Sequence, residues 1–484
     1  MMRPERSKAW NLALRVFALY ALVLAGWSRT AASAETLTQG FDSMSAAAPR
    51  ALGGSREIPG TSVAERASAA TTTQPTITEL DIEHRSSLDA LERYAAEHNP
   101  AIRAALKAWE AAQKRIVIDR SYENPMIEYM PDTYNMAETR AGSQTGGGGF
   151  SQAIPFPGKL TLRGKIAAQE AEAAQENVRA VVQETDRRVW MSYAGYYLAD
   201  RALEVNDETI QLARQFESIA EAKYKVGKVP EQDVILSQVE ISQLAVQRID
   251  LQKARNSALG NINALLDREP RALLASPEEL AAKPISPPLV QLVEESRAAR
   301  PELKAEDYMV KARETSVTLA KMGYLPDFSV GGQYMGIANN GVPGFIKDGH
   351  DNWAATIGFS VPIWLDRVKA QVDQANAQFL QEKSTRRNVE DTVADQVQDA
   401  YERVMASAHN EAIYRTTLLP QTAERVAAAR AGYQTAIVDF LTLIDSLKSY
   451  EDVRMRHYET IEQYQVAAAD LSRAVGQPIE GIVK

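Results

Sequence analysis

From Lys159 to Tyr224 apolar residues recur at helical spacing, among them Val178, Val182, Val189, Tyr193, Tyr196, Val205, Phe216 and Ile219, with alanines between them. The stretch has no proline, and its only glycines are Gly164 and Gly195. It predicts a single helix roughly 100 Å long at 1.5 Å per residue. A helix of that length is unstable alone in water and needs a partner face. The pattern Val234, Leu236, Val239, Leu244, Val246, Ile249, Leu251, Leu259 and Leu266 supplies one. The segment Tyr224 to Asp233 is then the reversal of an antiparallel coiled-coil hairpin.

Shorter helical patterns come first. Leu88, Leu91, Tyr94 and Ala95 lead to His98-Asn99-Pro100, where the residue before the proline leaves the helical region. Ile102, Leu106, Trp109, Ala112 and Ile116 continue to about Asp119. The period then falls to two. Met126 to Tyr134 contains an alternating piece, and after a glycine-rich connection, Gly146 to Gly149, the alternation resumes over Phe150 to Phe156. Later, Phe328 and Val330 alternate with Ser329 and Gly331. Likewise Trp353, Ala355, Ile357, Phe359 and Val361 alternate with Ala354, Thr356, Gly358 and Ser360. One face is apolar and the other small or polar, which means core and solvent in a sandwich, or lipid and lumen in a membrane barrel.

The pattern occurs twice. Asn99-Pro100 and Arg300-Pro301 are 201 positions apart, as are Asn124-Pro125 and Leu325-Pro326; Ile154-Pro155 and Val361-Pro362 are separated by 207. Tyr224 matches Tyr433 at 209, and Leu265-Leu266-Asp267-Arg268 matches Ala474-Val475-Gly476-Gln477 at the same spacing. The growth in spacing falls in the strand-to-strand loop, where insertions are tolerated best. Residues 85–270 and 301–476 thus read as two copies of helix, strand, strand, long helix, reversal, helix. Residues 271–300 read as a connector and 477–484 as a tail. Pro420 lies inside the second long helical pattern and predicts a kink.

Composition adds an address. Arg3, Arg6 and Lys8 precede an apolar run from Trp10 to Trp27 and the small residues Ala32-Ser33-Ala34, so residues 1–34 read as an export signal. Residues 35–84, rich in Ala, Ser, Thr, Gly and Pro, read as a disordered leader. With no cysteine there is neither a disulfide nor a thiolate metal site. The formal charge is −9; without the signal, 49 basic and 62 acidic side chains leave −13, a poor basis for binding nucleic acid. No other stretch is apolar enough for a spanning helix, so any membrane contact must be through strands. Four strands per chain cannot close a barrel. Two chains give eight strands, whose interior side chains fill, and three give twelve, which leave an aqueous lumen.

Several segments resemble the TolC-type outer-membrane factors of tripartite efflux and type I secretion systems, over about residues 86–480. They are Asn99-Pro100-Ala101-Ile102, Ser151-Gln152-Ala153-Ile154-Pro155-Phe156, Tyr224-Lys225-Val226-Gly227-Lys228-Val229 with Asp233, Phe359-Ser360-Val361-Pro362-Ile363, Leu419-Pro420-Gln421 and Ala474-Val475-Gly476. The segment Ile154-Pro155-Phe156-Pro157-Gly158-Lys159-Leu160 looks most like members serving cation-exporting pumps. The resemblance implies a mostly α chain with a membrane β-barrel part, assembling as a homotrimer with a twelve-stranded barrel in outer-membrane lipid and a twelve-helix periplasmic tunnel. It also implies two partners, a periplasmic adaptor protein and an inner-membrane efflux pump, and no cofactor or catalysis.

By the same resemblance the reversals form the periplasmic tip. Tyr224, Val226 and Gly227 match the adaptor-docking motif, although Lys228 stands where an apolar residue is usual and the second copy has Thr435-Ala436-Ile437. A tight reversal also favours glycine for its own reasons. The pore-gate candidates are Asp445, which matches one gate aspartate, Asp439 and Asp233; Thr442 occupies the place of the other. Asp439 reads equally as a helix N-cap, and Asp233 as a first-turn acid favoured by the helix dipole. Met126, Met130 and Met136 read as strand and loop packing or as a soft-metal path. The five histidines show no metal-ligand spacing. The favoured reading is the exit duct of an efflux system, with metal cations as one candidate cargo. Its rivals are a periplasmic coiled-coil adaptor and a type I secretion duct. An exported enzyme would need a catalytic constellation, and none is visible.

Overall fold

The computed structural model describes residues 87–131, 138–139, 142–283, 285–338 and 350–478. The export signal, the leader to residue 84, Tyr134, Met136 and most of the tail lie outside the described residues. Helices α1 (Leu88–His98) and α2 (Pro100–Arg120) meet at Asn99. Its side chain accepts from Ala101 N at 2.8 Å to cap α2, and donates to Leu265 O at 2.8 Å.

Strands β1 (Met126–Met130), β2 (Glu138–Thr139), β3 (Gly142–Ile154), β4 (Asp327–Ala338) and β5 (Asn352–Ser360) form one antiparallel sheet in the order β1-β3-β4-β5, with β2 on β3. The glycine-rich stretch expected to be a connection is instead the middle of β3, where Gly147, Gly148 and Gly149 pair with Met130, Tyr129 and Glu128. The reason is steric, because a Cβ on Gly147 would lie 2.3 Å from Tyr334 O. The register sets Ile127, Phe150, Gly332 and Ala355 in one row, and Tyr129, Gly148, Tyr334 and Trp353 in another. Ile127, Tyr129, Phe150, Trp353, Ile357 and Phe359 all lie exposed on one face. The other carries Ser151, Ala153, Ser329, Gly331, Ala354, Thr356 and Ser360.

The segment Ile154 to Leu160 joins sheet to helix. The Lys159 ammonium, nearly buried, pairs with Asp327 at 2.8 Å, and Phe156 N donates to the same carboxylate oxygen at 2.7 Å. From there α3 (Lys159–Lys225) runs for 67 residues without a break, and α4 (Glu231–Leu265) returns along it. The second copy supplies α5 (Leu289–Ala299), α6 (Pro301–Lys321), α7 (Leu365–Ile413), α8 (Leu419–Gln434) and α9 (Phe440–Val475). Helix α5 lies inside the segment read as connector and follows α1 by 201 positions. The second long arm is interrupted close to the proline. A π-helical turn, Tyr414–Leu418, separates α7 from α8 and places Pro420 in the first turn of α8, where its missing N–H costs nothing.

The helices lie side by side in a layer. Near the reversals the order is α4, α3, α9, then α8 and the lower part of α7; nearer the sheet it is α2, α3, α6, α7. Around mid-length the connector wraps the layer, held by buried tyrosines. Tyr193 Oη accepts from Glu278 N at 2.9 Å, Tyr197 Oη donates to Glu279 at 2.7 Å, and Tyr464 Oη donates to Lys283 O at 2.5 Å. An ion-pair network ties α3 to α9 at the same level. Arg187 binds Glu184 and Asp470, each at 2.9 Å, while Arg188 reaches Glu184 at 2.8 Å. Burial pushes the Glu184 carboxyl up, but its two guanidinium partners overrule this and hold it at about 2.

Candidate functional site at the two helix reversals

The reversals share one backbone. In the first, Gly227 N donates to Tyr224 O at 2.8 Å and Lys228 N to Lys223 O at 2.9 Å, with Gly227 at φ +68°. In the second, Ala436 N donates to Tyr433 O at 3.2 Å and Ile437 N to Gly432 O at 2.9 Å, with Ala436 at φ +63°. Each closes its helix with a left-handed residue. Glycine adopts that conformation freely, whereas an alanine there carries a penalty of roughly 1–2 kcal/mol.

Their surroundings differ. Tyr224 is 45% exposed, whereas its counterpart Tyr433 is 2% exposed and packs edge-on against Phe440 at 5.2 Å. The Lys223 ammonium sits 4.4 Å from the Tyr433 ring centroid and donates to the Tyr433 carbonyl. The Tyr433 hydroxyl donates to Asp233 Oδ2 at 2.9 Å. Burial, reinforced by the Asp233 acceptor, pushes the phenol far above its ordinary range, so it remains a donor throughout the physiological range. Beneath this contact lies a core of Phe216, Ala220, Leu244, Phe440, Leu443 and Leu447, drawn from both hairpins. Tyr433, Lys223 and Asp233 therefore fasten the second hairpin to the first.

The three aspartates singled out from sequence hold three different positions. Asp233 stands in the first turn of α4 and takes the Tyr433 proton donor. Asp439 caps α9, accepting from Thr442 N at 3.0 Å; the Thr442 hydroxyl and amide hold its carboxyl below the usual range. Asp445 is exposed and pairs with Arg425 at 2.5 Å, from α9 to α8 of the same hairpin. Of the docking residues, Val226 is 67% exposed and open space surrounds Gly227. Sequence reasoning overlooked Ile437, 82% exposed, and the roles of Tyr433 and Lys223. The periodic pattern does place Tyr433 at a helix end, but not which of the paired tyrosines is covered. Among the described residues no group of three or more His, Asp or Glu side chains is placed to hold a metal ion, and no helix is long and apolar enough to cross a membrane.

A family model described as outer membrane efflux protein matches residues 91–268 and 292–477. The cobalt-zinc-cadmium resistance protein CzcC of Cupriavidus metallidurans is 21% identical over 402 residues, 81% of this chain and 90% of that protein. Among solved structures, CusC superimposes with a TM-score of 0.69 at 17% identity, covering 89% of this chain and 99% of its own. The Campylobacter jejuni CmeC outer membrane channel gives 0.68 at 15% identity, covering 84% and 89%. At these identities the structural likeness speaks for the fold.

Proposed function

Because the chain belongs to the outer membrane efflux protein family, we propose that it works there as a homotrimeric exit duct whose tip opens when the two hairpins part. The observation that carries this reading is that the chain has matching free edges at every level. The sheet ends in β1 and β5, the upper helix layer in α2 and α7, and the lower layer in α4 and α8. In each case one edge comes from the first copy and the other from the second, so neighbouring chains pair head to tail and close into a ring.

The edge side chains suit that closure. On α4, Ile235, Val239, Ser242, Val246 and Ile249 are exposed at alternating spacings of four and three, a coiled-coil seam without a partner among the described residues. The opposite edge offers Ala406, Ala423, Ala427 and Ala431, small enough to receive those side chains. Three chains of four principal strands give a barrel of twelve, wide enough for an aqueous lumen, with the apolar face toward lipid.

In this reading the duct does no chemistry. An inner-membrane pump and a periplasmic adaptor feed it, and the adaptor meets Tyr224, Val226 and Gly227. Asp445 and Asp439 line the mouth, and Asp233 controls it through Tyr433. The name of the Cupriavidus relative supports metal cations as cargo. Mass measurement on the protein extracted from outer membranes in detergent is the test: three copies per particle are expected, and a water-soluble monomer would overturn the proposal.

A further inference from the structure

The two reversals expose different chemistry on the same backbone. At the apex of the first stand Lys225, Val226, Gly227 and Lys228, all exposed; at the apex of the second stand Thr435, Ala436 and Ile437. The residue after the left-handed position is thus an ammonium in one copy and a sec-butyl side chain in the other. Lys225 is partly satisfied by Glu221 at 3.4 Å, one turn back on α3. Lys228 forms no ion pair among the described residues, although Glu231 follows it closely in sequence. Nor is it needed for the turn, because only its backbone N–H takes part in closing α3. A chain of net charge −9 therefore ends its first reversal in two exposed ammonium groups with an apolar side chain between them.

We infer that the first reversal docks a protein partner presenting an Asp or Glu carboxylate to Lys228 beside an apolar residue for Val226, while the second reversal meets a purely apolar contact through Ile437. The inference rests on the reading of the tip as the adaptor contact and adds the chemistry of the adaptor's side. Complementary charge fixes register and discourages wrong partners, since an adaptor bearing an arginine or lysine at that position would face like charge. Around a mouth built of alternating first and second reversals, the carboxylate tells the partner which of two similar sites it has reached.

The test places a photo-crosslinking amino acid at position 226 of the full-length protein in its native membrane and identifies the adduct by mass spectrometry. The expected adduct is a peptide of a periplasmic protein with Asp or Glu within one helical turn of the linked residue. In the same background, Lys228→Glu is expected to lower the yield about tenfold or more, Lys228→Arg to hold it within about twofold, and raised salt to lower the wild-type yield. Both variants alter an exposed side chain, and the mass of the extracted particle verifies that assembly is intact. A protein adduct without a nearby acid, or a yield indifferent to Lys228→Glu, overturns the inference while leaving the docking reading in place. A lipid or glycan adduct, or none at all, overturns both.

Discussion

Replacing Tyr433 by Phe removes one oxygen atom and leaves the rest of the tip contact in place. The ring keeps its packing on Phe440 and its position under the Lys223 ammonium, and the backbone carbonyl that Lys223 binds is untouched. What is lost is a 2.9 Å hydrogen bond to a carboxylate. Such bonds contribute about 1.5–3 kcal/mol, and the partial exposure of Asp233 argues for the lower end, ~1.5 kcal/mol per chain. That is roughly a tenfold shift in the balance between joined and parted hairpins. If three chains part together, the shift approaches ~4–5 kcal/mol, or on the order of a thousandfold. Single-channel recording in planar bilayers reads it directly, as open-state occupancy at fixed voltage. The expected rise lies between about tenfold and a thousandfold, according to how concerted the opening is. Adding Asp233→Asn to Tyr433→Phe should then change little further, because the two groups act through one bond. Unchanged occupancy in Tyr433→Phe, or full additivity in the double variant, refutes the assignment of this contact as the latch.

Other expectations follow from the same geometry. Ala436→Gly relieves a left-handed alanine at some entropic cost and should stabilise the chain by about 0.5–1 kcal/mol in detergent thermal melts; a lower melting temperature would count against strain there. Ile357→Lys, on the apolar face and 78% exposed in the single chain, should cost roughly 2–4 kcal/mol in folding into lipid vesicles, while Thr356→Lys on the opposite face should cost far less. Equal costs would reverse or erase the assignment of lipid and lumen faces. Glu184→Gln tests the waist. A carboxyl held at about 2 in the folded chain stabilises it above the ordinary value of 4.5, and loses that contribution as the pH falls toward 2. The variant should be less stable by about 1 kcal/mol at pH 7, after allowance for solvent screening, and the gap should close in acid. A gap that persists at pH 2 would mean that Glu184 acts by packing.

Much of this architecture is legible in the order of residues, because long helices and strands advertise their period. Lys159 to Tyr224 reads as one helix and folds as Lys159–Lys225, and Trp353 to Val361 reads as the strand that forms over Asn352–Ser360. Reading failed where the deciding contact is remote. The triple glycine Gly147 to Gly149 has the composition of a loop, and it is pairing with β1 and β4 that makes it a strand, where the Tyr334 backbone leaves no room for a side chain at Gly147. Pro420 announces a break in a helix but not the π-helical turn that ends two residues before it. At the tip, Asp233 looks like a helix-dipole acid until Tyr433, 200 positions away, arrives as its donor. Tyr224 and Tyr433 are equivalent by repeat and opposite by burial. Repetition predicts backbone more faithfully than environment, since each copy shares its fold but not its neighbours.

The matching free edges bear on how the protein must be made and on how it fails. Among the described residues β1 and β5 each have one unpaired edge beside a wide apolar face, the combination that invites wrong pairing, so a single chain's time alone in the periplasm has to be short or guarded. Because the edges are unlike, a chain damaged at one edge still offers the other and can be built into an arc that never closes. If three chains build one duct, as proposed, then in a cell carrying intact and edge-damaged copies together complete ducts would fall as the cube of the intact fraction, and such variants would behave as dominant poisons rather than silent losses.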